Sequence, residues 1–322
     1  MALLAALTGT AAMAGIGTPW HWFAFLLFVL LAVALDLGVF HRNAHPVRWR
    51  EAAAWSLVWV AISVLFGLGI LRWYGTQPAL EYFTGYVIEK SLSVDNIFVF
   101  LLIFQSLAVP AQAQHKVLYY GVVGALVMRA AFVFAGVALL RSFHWVLFVF
   151  GAVLLLTAVR MLLPSAHMVK PERNWLVRLV RMAVPVTTQY EGESFWVRRG
   201  GQWNATPLFL ALVAVEATDI VFAVDSVPAV LAITRDSFIA YSSNVFAILG
   251  LRALYFGLAD VLPRFRFLRP GLAAILLFTG AKMVASDWIP ISTGASLGTI
   301  LGIVAVMIGA SVLWPGNETA TH

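Results

Sequence analysis

Apolar runs of twenty or more residues recur along the chain, separated mostly by short polar connections. A run of that length crosses ~30 Å of hydrocarbon as a helix, which satisfies every backbone group within the segment. A transmembrane barrel would show segments of ~10 residues in strict alternation, and the sequence has none. The expected fold is an all-α, polytopic transmembrane helix bundle. Composition agrees: 61% of the 322 residues are hydrophobic and 11% charged, against ~25% charged in a soluble domain.

About nine spans are expected, at roughly 20–40, 52–71, 79–105, 117–139, 144–162, 206–232, 237–258, 269–286 and 295–314. Residues 1–18 carry no charge, and a secretory signal needs a basic start, so no cleaved leader is expected. The net charge of +6 reads as a topology signal rather than a nucleic-acid footprint. With the N-terminus outside, fourteen lysines and arginines fall on the cytoplasmic side, among them Arg42, Lys116, Arg160, Arg178 and Arg269. Three (Arg72, Arg141, Arg235) fall outside, a positive-inside bias that also places the C-terminus in the cytoplasm. The chain has no cysteine, which excludes disulfides, thiolate metal ligands and CxxC redox chemistry within it.

Residues 79–162 resemble residues 206–286. Glu89–Asn96 (EKSLSVDN) lies over Asp219–Ser226 (DIVFAVDS), Arg129 over Arg252, and LLLTAVRM (154–161) over LLFTGAKM (276–283). The last match sets Thr157 over Thr279 and Arg160 over Lys282. Each unit holds three spans, an odd number, so consecutive copies run in opposite senses through the membrane. Two inverted three-helix repeats are a transporter architecture. The rest of the chain divides into residues 1–78, a tail and two peripheral spans, and residues 287–322, a last span and tail. Residues 163–205 form a cytoplasmic connection. There Trp175, Leu176, Leu179, Val180 and Met182 alternate with Arg173, Arg178 and Arg181, as in a surface-lying amphipathic helix. Apolar residues flank Gly200-Gly201 as in a small hairpin.

Asp36, Glu89, Asp95, Glu216, Asp219 and Asp225 lie within or bordering spans. A charge at the bilayer centre costs at least ~2.5–3.5 kcal/mol, so these acids must face a cavity, one another, or the bases Lys90, Arg129, Arg252 and Lys282. The bases are expected to balance charge. Asp36, about one turn from its span end, reads equally as a capping residue. Glu89 and Asp95 are six apart, as are Asp219 and Asp225, or 240° around a helix. They converge only if the helix is kinked or unwound. Pro228 cannot donate to the carbonyl of Val224, which frees that oxygen, and Ser91, Ser93 and Asn96 could serve a break in the first unit. Asn244 is a further oxygen ligand, or else a helix–helix bond. Carboxylate, amide, hydroxyl and carbonyl oxygens, here including Ser226, suit hard cations such as Mn²⁺, Mg²⁺ or Ca²⁺. His21, His41, His45, His115, His144, His167 and His322 all lie near span ends or in loops, which gives no support to imidazole-bound zinc or copper.

At these residues the sequence resembles the TerC family of integral membrane proteins, in particular its Alx-like members. The carriers are ALDLGVFHR (34–42), EKSLSVDNIFVF (89–100), ATPLFLALVAVEATDIVFAVDSVPAVLAIT (205–234) and YSSNVFAILGLRALYF (241–256). The resemblance implies a bacterial inner-membrane protein of about nine spans linked to manganese efflux, with tellurium resistance and redox modulation recorded in the family's names. It also implies a cation site near Asp36, Glu89, Asp95, Glu216, Asp219, Asp225 and Asn244.

The expected function is export of a divalent metal cation, manganese(II) first, between spans three and six. Asp95, Asp225 and neighbouring oxygens such as Asn96 would be the ligands, and Glu89, Glu216 and Asp219 ligands or proton carriers. Proton antiport is an available energy source, because metal-binding carboxylates release protons. The alternative is a non-transporting membrane factor in protein assembly or in the response to tellurite, pH or redox stress. No nucleophile–base constellation or HExxH motif lies in the spans, so no enzyme is expected. The implied partners are the metal ion and the lipid bilayer, with no cofactor and no nucleic acid.

Overall fold

The computed structural model describes residues 15–41, 49–163, 175–258 and 267–314. Side chains of 36–41, 49, 175, 176 and 258 lie outside that description. So does the uncharged N-terminal stretch up to residue 14. Most of the chain is helix: α1 (Pro19–His41), α2 (Trp49–Tyr74), α3 (Thr76–Ser106), α4 (Ala111–Ser142), α5 (Val146–Leu162), α6 (Trp175–Ala183), α7 (Pro207–Leu231), α8 (Ser237–Ile248), α9 (Leu251–Leu258), α10 (Leu268–Val284) and α11 (Thr293–Leu313). Strands β1 (Trp196–Arg199) and β2 (Gln202–Ala205) pair antiparallel, Arg199 opposite Gln202. Gly200 and Gly201 turn between them at positive φ, 58° and 83°, where glycine carries no Cβ penalty.

The protein is an all-α membrane protein. Each expected span coincides with a helix, or with the pair α8 and α9. Among the described residues five helical segments are long and apolar enough to cross a membrane: Arg50–Tyr74, Ala111–Ser142, Pro207–Leu231, Ser237–Gly257 and Thr293–Leu313. α3 is not among them, since it carries Glu81, Glu89, Lys90 and Asp95.

The central packing is crosswise. α3 lies against α7 and α8, α4 against α7, and α5 against α10 over the largest of the helix–helix contacts. Small residues allow that last approach: a Cβ on Gly280 would sit 3.0 Å from the carbonyl oxygen of Gly151. Phe25, Phe66, Tyr82, Phe238 and Phe246 fill the space between α1, α2, α3 and α8. α6 buries Val177 and exposes Leu179 and Met182, and packs on α7. The hairpin region is tied to the bundle by Tyr190 Oη donating to Leu107 O (2.7 Å) and Lys116 Nζ to Glu193 O (2.8 Å).

Two expectations about helix breaks are corrected. α3 runs unbroken through Glu89–Asp95, and α7 through Asp219–Asp225. Pro228 lies in the last turn of α7, and the amide of Ala232 still donates to Pro228 O (2.9 Å), so the helix loses one bond without opening. In α3, Ser91 Oγ bonds back to Val87 O (2.7 Å) within the helix. The interruption falls in the seventh span instead. Leu249 leaves helical geometry (φ −57°, ψ 129°) and Gly250 takes φ 82°. A Cβ on Gly250 would lie 2.6 Å from Trp59 Cδ1, so only glycine lets α2 pack this closely.

Candidate functional site

With α3 and α7 straight, the 240° offset sends the members of each acidic pair to different places. The acids therefore pair across the two helices: Glu89 with Asp219, and Asp95 with Asp225.

The first centre is organised by Arg129 of α4, which is 1% exposed. Its Nη1 donates to Glu89 Oε2 (2.5 Å), Ser226 Oγ (3.0 Å) and Asn244 Oδ1 (3.3 Å), and its Nη2 to Asp219 Oδ1 (3.3 Å). Asn244 Nδ2 donates to Glu89 Oε1 (2.9 Å). Four helices thus meet on one guanidinium. Charges can stay at this depth because each faces an opposite charge and hydrogen bonds that replace water. Both carboxylates are engaged by an internal cation.

The second centre is a cavity of about 90 Å³. Asp95 and Asn96 of α3, Asp225 and Ser226 of α7 and Thr157 of α5 supply its polar wall; Leu92, Met161, Phe222 and Leu276 supply its apolar wall. Thr157 Oγ1 donates to Asp225 Oδ1 (2.7 Å). Arg269 Nε stands 4.0 Å from Asp95 Oδ1, and Arg160 acts electrostatically on Asp225. Arg129 also lines this space, so the two centres share a wall. Five oxygen-bearing side chains of types that hard cations favour therefore face one volume with room for an ion and some water. Among the described residues no group of three or more His, Cys, Asp or Glu is placed to hold a metal. An ion here would rest on two carboxylates and neutral oxygens.

The other sequence-derived candidates lie apart. Glu216 is half-buried one turn before Asp219, its carboxylate against Gly124 of α4. Val224 turns its side chain outward (44% exposed) and is not among the cavity residues. Pro228 is buried in α7, and Ser93 is buried in α3. Asp36 belongs to α1, its side chain outside the described residues. Lys90 Nζ donates to Ala247 O (3.2 Å) at the end of α8, where a cation complements exposed carbonyls. Arg252 is buried in α9. Lys282 Nζ donates to Ser296 Oγ (2.9 Å), with Glu81 as electrostatic neighbour. Sequence reasoning did not assign Thr157 or Arg269 to the site. Thr157 had a signal, as a polar landmark repeated at Thr279; Arg269 read only as a topology charge.

Comparisons with known proteins place the chain in a family. The model of the integral membrane protein TerC family matches residues 74–318. The "Uncharacterized membrane protein STKORF319" of Myxococcus xanthus is 47% identical over 298 residues, covering 92% of this chain and 93% of that protein. The "Putative membrane-bound redox modulator Alx" of Escherichia coli strain K12 is 46% identical over 301 residues, covering 90% and 94%. The protein of the same name from Photorhabdus laumondii is 41% identical over 320 residues, covering 96% and 99%. No solved structure matches the chain. The chain therefore belongs to the TerC family of integral membrane proteins.

Proposed function

We propose that this protein is a membrane transporter that exports a divalent cation, manganese(II) first, through the cavity between α3 and α7. The observation that carries the reading is the meeting of Asp95, Asn96, Asp225, Ser226 and Thr157 around one space inside a chain whose surroundings are apolar. A resident structural cation would call for more anionic ligands. Two carboxylates with neutral oxygens hold a hard ion loosely enough for it to leave, as transport requires. The inverted repeat supplies the moving parts in this reading, with alternating access as one unit rocks on the other. The cytoplasmic side is taken as the one bearing Arg160 and Arg269, in a bacterial inner membrane. Proton antiport is the proposed energy source.

One observation favours a second reading. Glu89 and Asp219 are both paired with Arg129 inside the protein, as in a non-transporting membrane factor whose acids only hold helices together. The relatives' name mentions redox modulation, but with no cysteine this chain has no thiol of its own to carry it. Mn²⁺ flux in proteoliposomes holding purified protein separates the readings. Transport is expected in wild type, with loss in both Asp95→Asn and Asp225→Asn. A wild-type protein that moves no Mn²⁺ under a pH gradient overturns the transporter.

A further inference from the structure

The pair Arg129–Asp219 is half-made. Nη2 meets Oδ1 at 3.3 Å, yet Arg129 Nε and Asp219 Oδ2, both buried, have no hydrogen-bond partner among the described residues. Guanidinium and carboxylate normally meet through two parallel bonds, and the charge-assisted fork is the strong form. Both missing atoms are present on the two groups already in contact. A second cavity of about 10 Å³, about the space of one water, lies beside them, lined by Asp219, Asn96 and Arg129.

On the other side the same guanidinium is held by Glu89 Oε2 at 2.5 Å and by two neutral oxygens. Arg129 Nη1 is spent partly on Ser226 Oγ at 3.0 Å, and Ser226 also lines the Asp95–Asp225 cavity. A hydroxyl oxygen facing a guanidinium is a poor ligand for a second cation, since the two positive charges repel across a few ångströms of low-dielectric interior.

We propose that Arg129 is a positioning residue that hands Ser226 to the incoming cation. When a divalent cation enters between Asp95 and Asp225, the guanidinium releases Ser226 Oγ and closes the fork on both oxygens of Asp219. Ser226 Oγ then turns to the ion as a neutral ligand. This inference rests on the reading of that cavity as a cation site. It makes Asp219 part of the binding event without contact to the ion, and it links the two buried centres.

A double-mutant cycle tests it, using Mn²⁺ binding to the full chain in lipid nanodiscs, followed by electron paramagnetic resonance. Ser226→Ala removes the ligand. Asp219→Asn keeps one acceptor for Nη2 and removes the second oxygen of the fork. Each is expected to weaken binding about tenfold, and the double variant about tenfold as well, because the two changes break one linked step. Ser226→Thr, which keeps the hydroxyl, is expected to bind as wild type; where Asp219→Asn fails to fold, Arg129→Lys, which keeps the charge but cannot form the fork, is expected to weaken binding about tenfold in its place, and wild-type binding by it overturns the handover. Losses that multiply in the double variant, or a Ser226→Ala protein that binds as wild type, overturn the handover while leaving the cavity reading intact. Wild-type protein that binds no Mn²⁺, or binding unchanged by Asp95→Asn, sinks the cavity reading and this inference with it.

Discussion

Arg129 is the residue on which most of the buried charge converges. Its partners are a carboxylate from α3, a carboxylate and a hydroxyl from α7, and an amide from α8. Removing it leaves Glu89 and Asp219 side by side without a cation, and breaking a buried pair from one side costs about 3–5 kcal/mol. Arg199 and Glu191 form a second ion pair at the surface, with side chains 56% and 36% exposed, where such pairs contribute about 0–1 kcal/mol. Arg129→Ala is therefore expected to lower the thermal midpoint of the detergent-purified protein steeply, and Arg199→Ala hardly at all. Equal shifts would refute the placement of the charge. The acids were legible in the sequence because a carboxylate in an apolar run stands out. Which of the four bases and of the other acids each would meet was not. Whether Glu89 meets Asp95 or Asp219 depends on whether α3 is straight, and Pro228 invites a kink that its place in the last turn of α7 makes unnecessary.

At the scale of elements, the one break among the central helices sets where α8 ends. Gly250 carries it by positive φ, and Trp59 of α2 fills the place a side chain would take. Lys90 of α3 donates to a carbonyl of the last turn of α8, so the break is held from two neighbours. Gly75, between α2 and α3, has φ 89° but nothing within 4 Å of a Cβ. Gly75 has ψ −174°, a conformation open essentially only to glycine, so Gly75→Ala is expected to cost the backbone strain alone, about 1–3 kcal/mol. Gly250→Ala should cost clearly more, because the indole must also move. Denaturation midpoints of the two variants measure the difference, and similar values would refute the close packing on Trp59. The hairpin at Gly200-Gly201 was legible because turn chemistry is local. The break was not, because an apolar run containing one glycine reads as a continuous span, and the tryptophan that demands that glycine is nearly two hundred residues away.

At the scale of the molecule, the crosswise packing is what two copies related by a two-fold axis would give: α3 on α7, α5 on α10, α4 on α7 and α8 on α3. At the cavity, the contacts of two matched threonines depart from that symmetry. Thr157 donates to Asp225 (2.7 Å), while its counterpart Thr279 donates within its own helix to Ile275 O (2.8 Å) and Asp95 faces Arg269. On the proposed inverted repeat, the second access state follows by exchanging the conformations of the two units. Thr279 then bonds Asp95, and Thr157 turns back to its own helix. Each threonine therefore stabilises one state, so Thr157→Val should move the population away from the present arrangement and Thr279→Val towards it. The absence of cysteine gives a clean background for the measurement. A single cysteine at Met161, on the cavity wall beside Thr157, would be labelled with a membrane-impermeant maleimide from the side bearing Arg160. Thr157→Val and Thr279→Val are expected to change that labelling in opposite directions. A shift of both in one direction would mean that the two threonines do not hold opposite states, and the exchange of conformations would have to be abandoned.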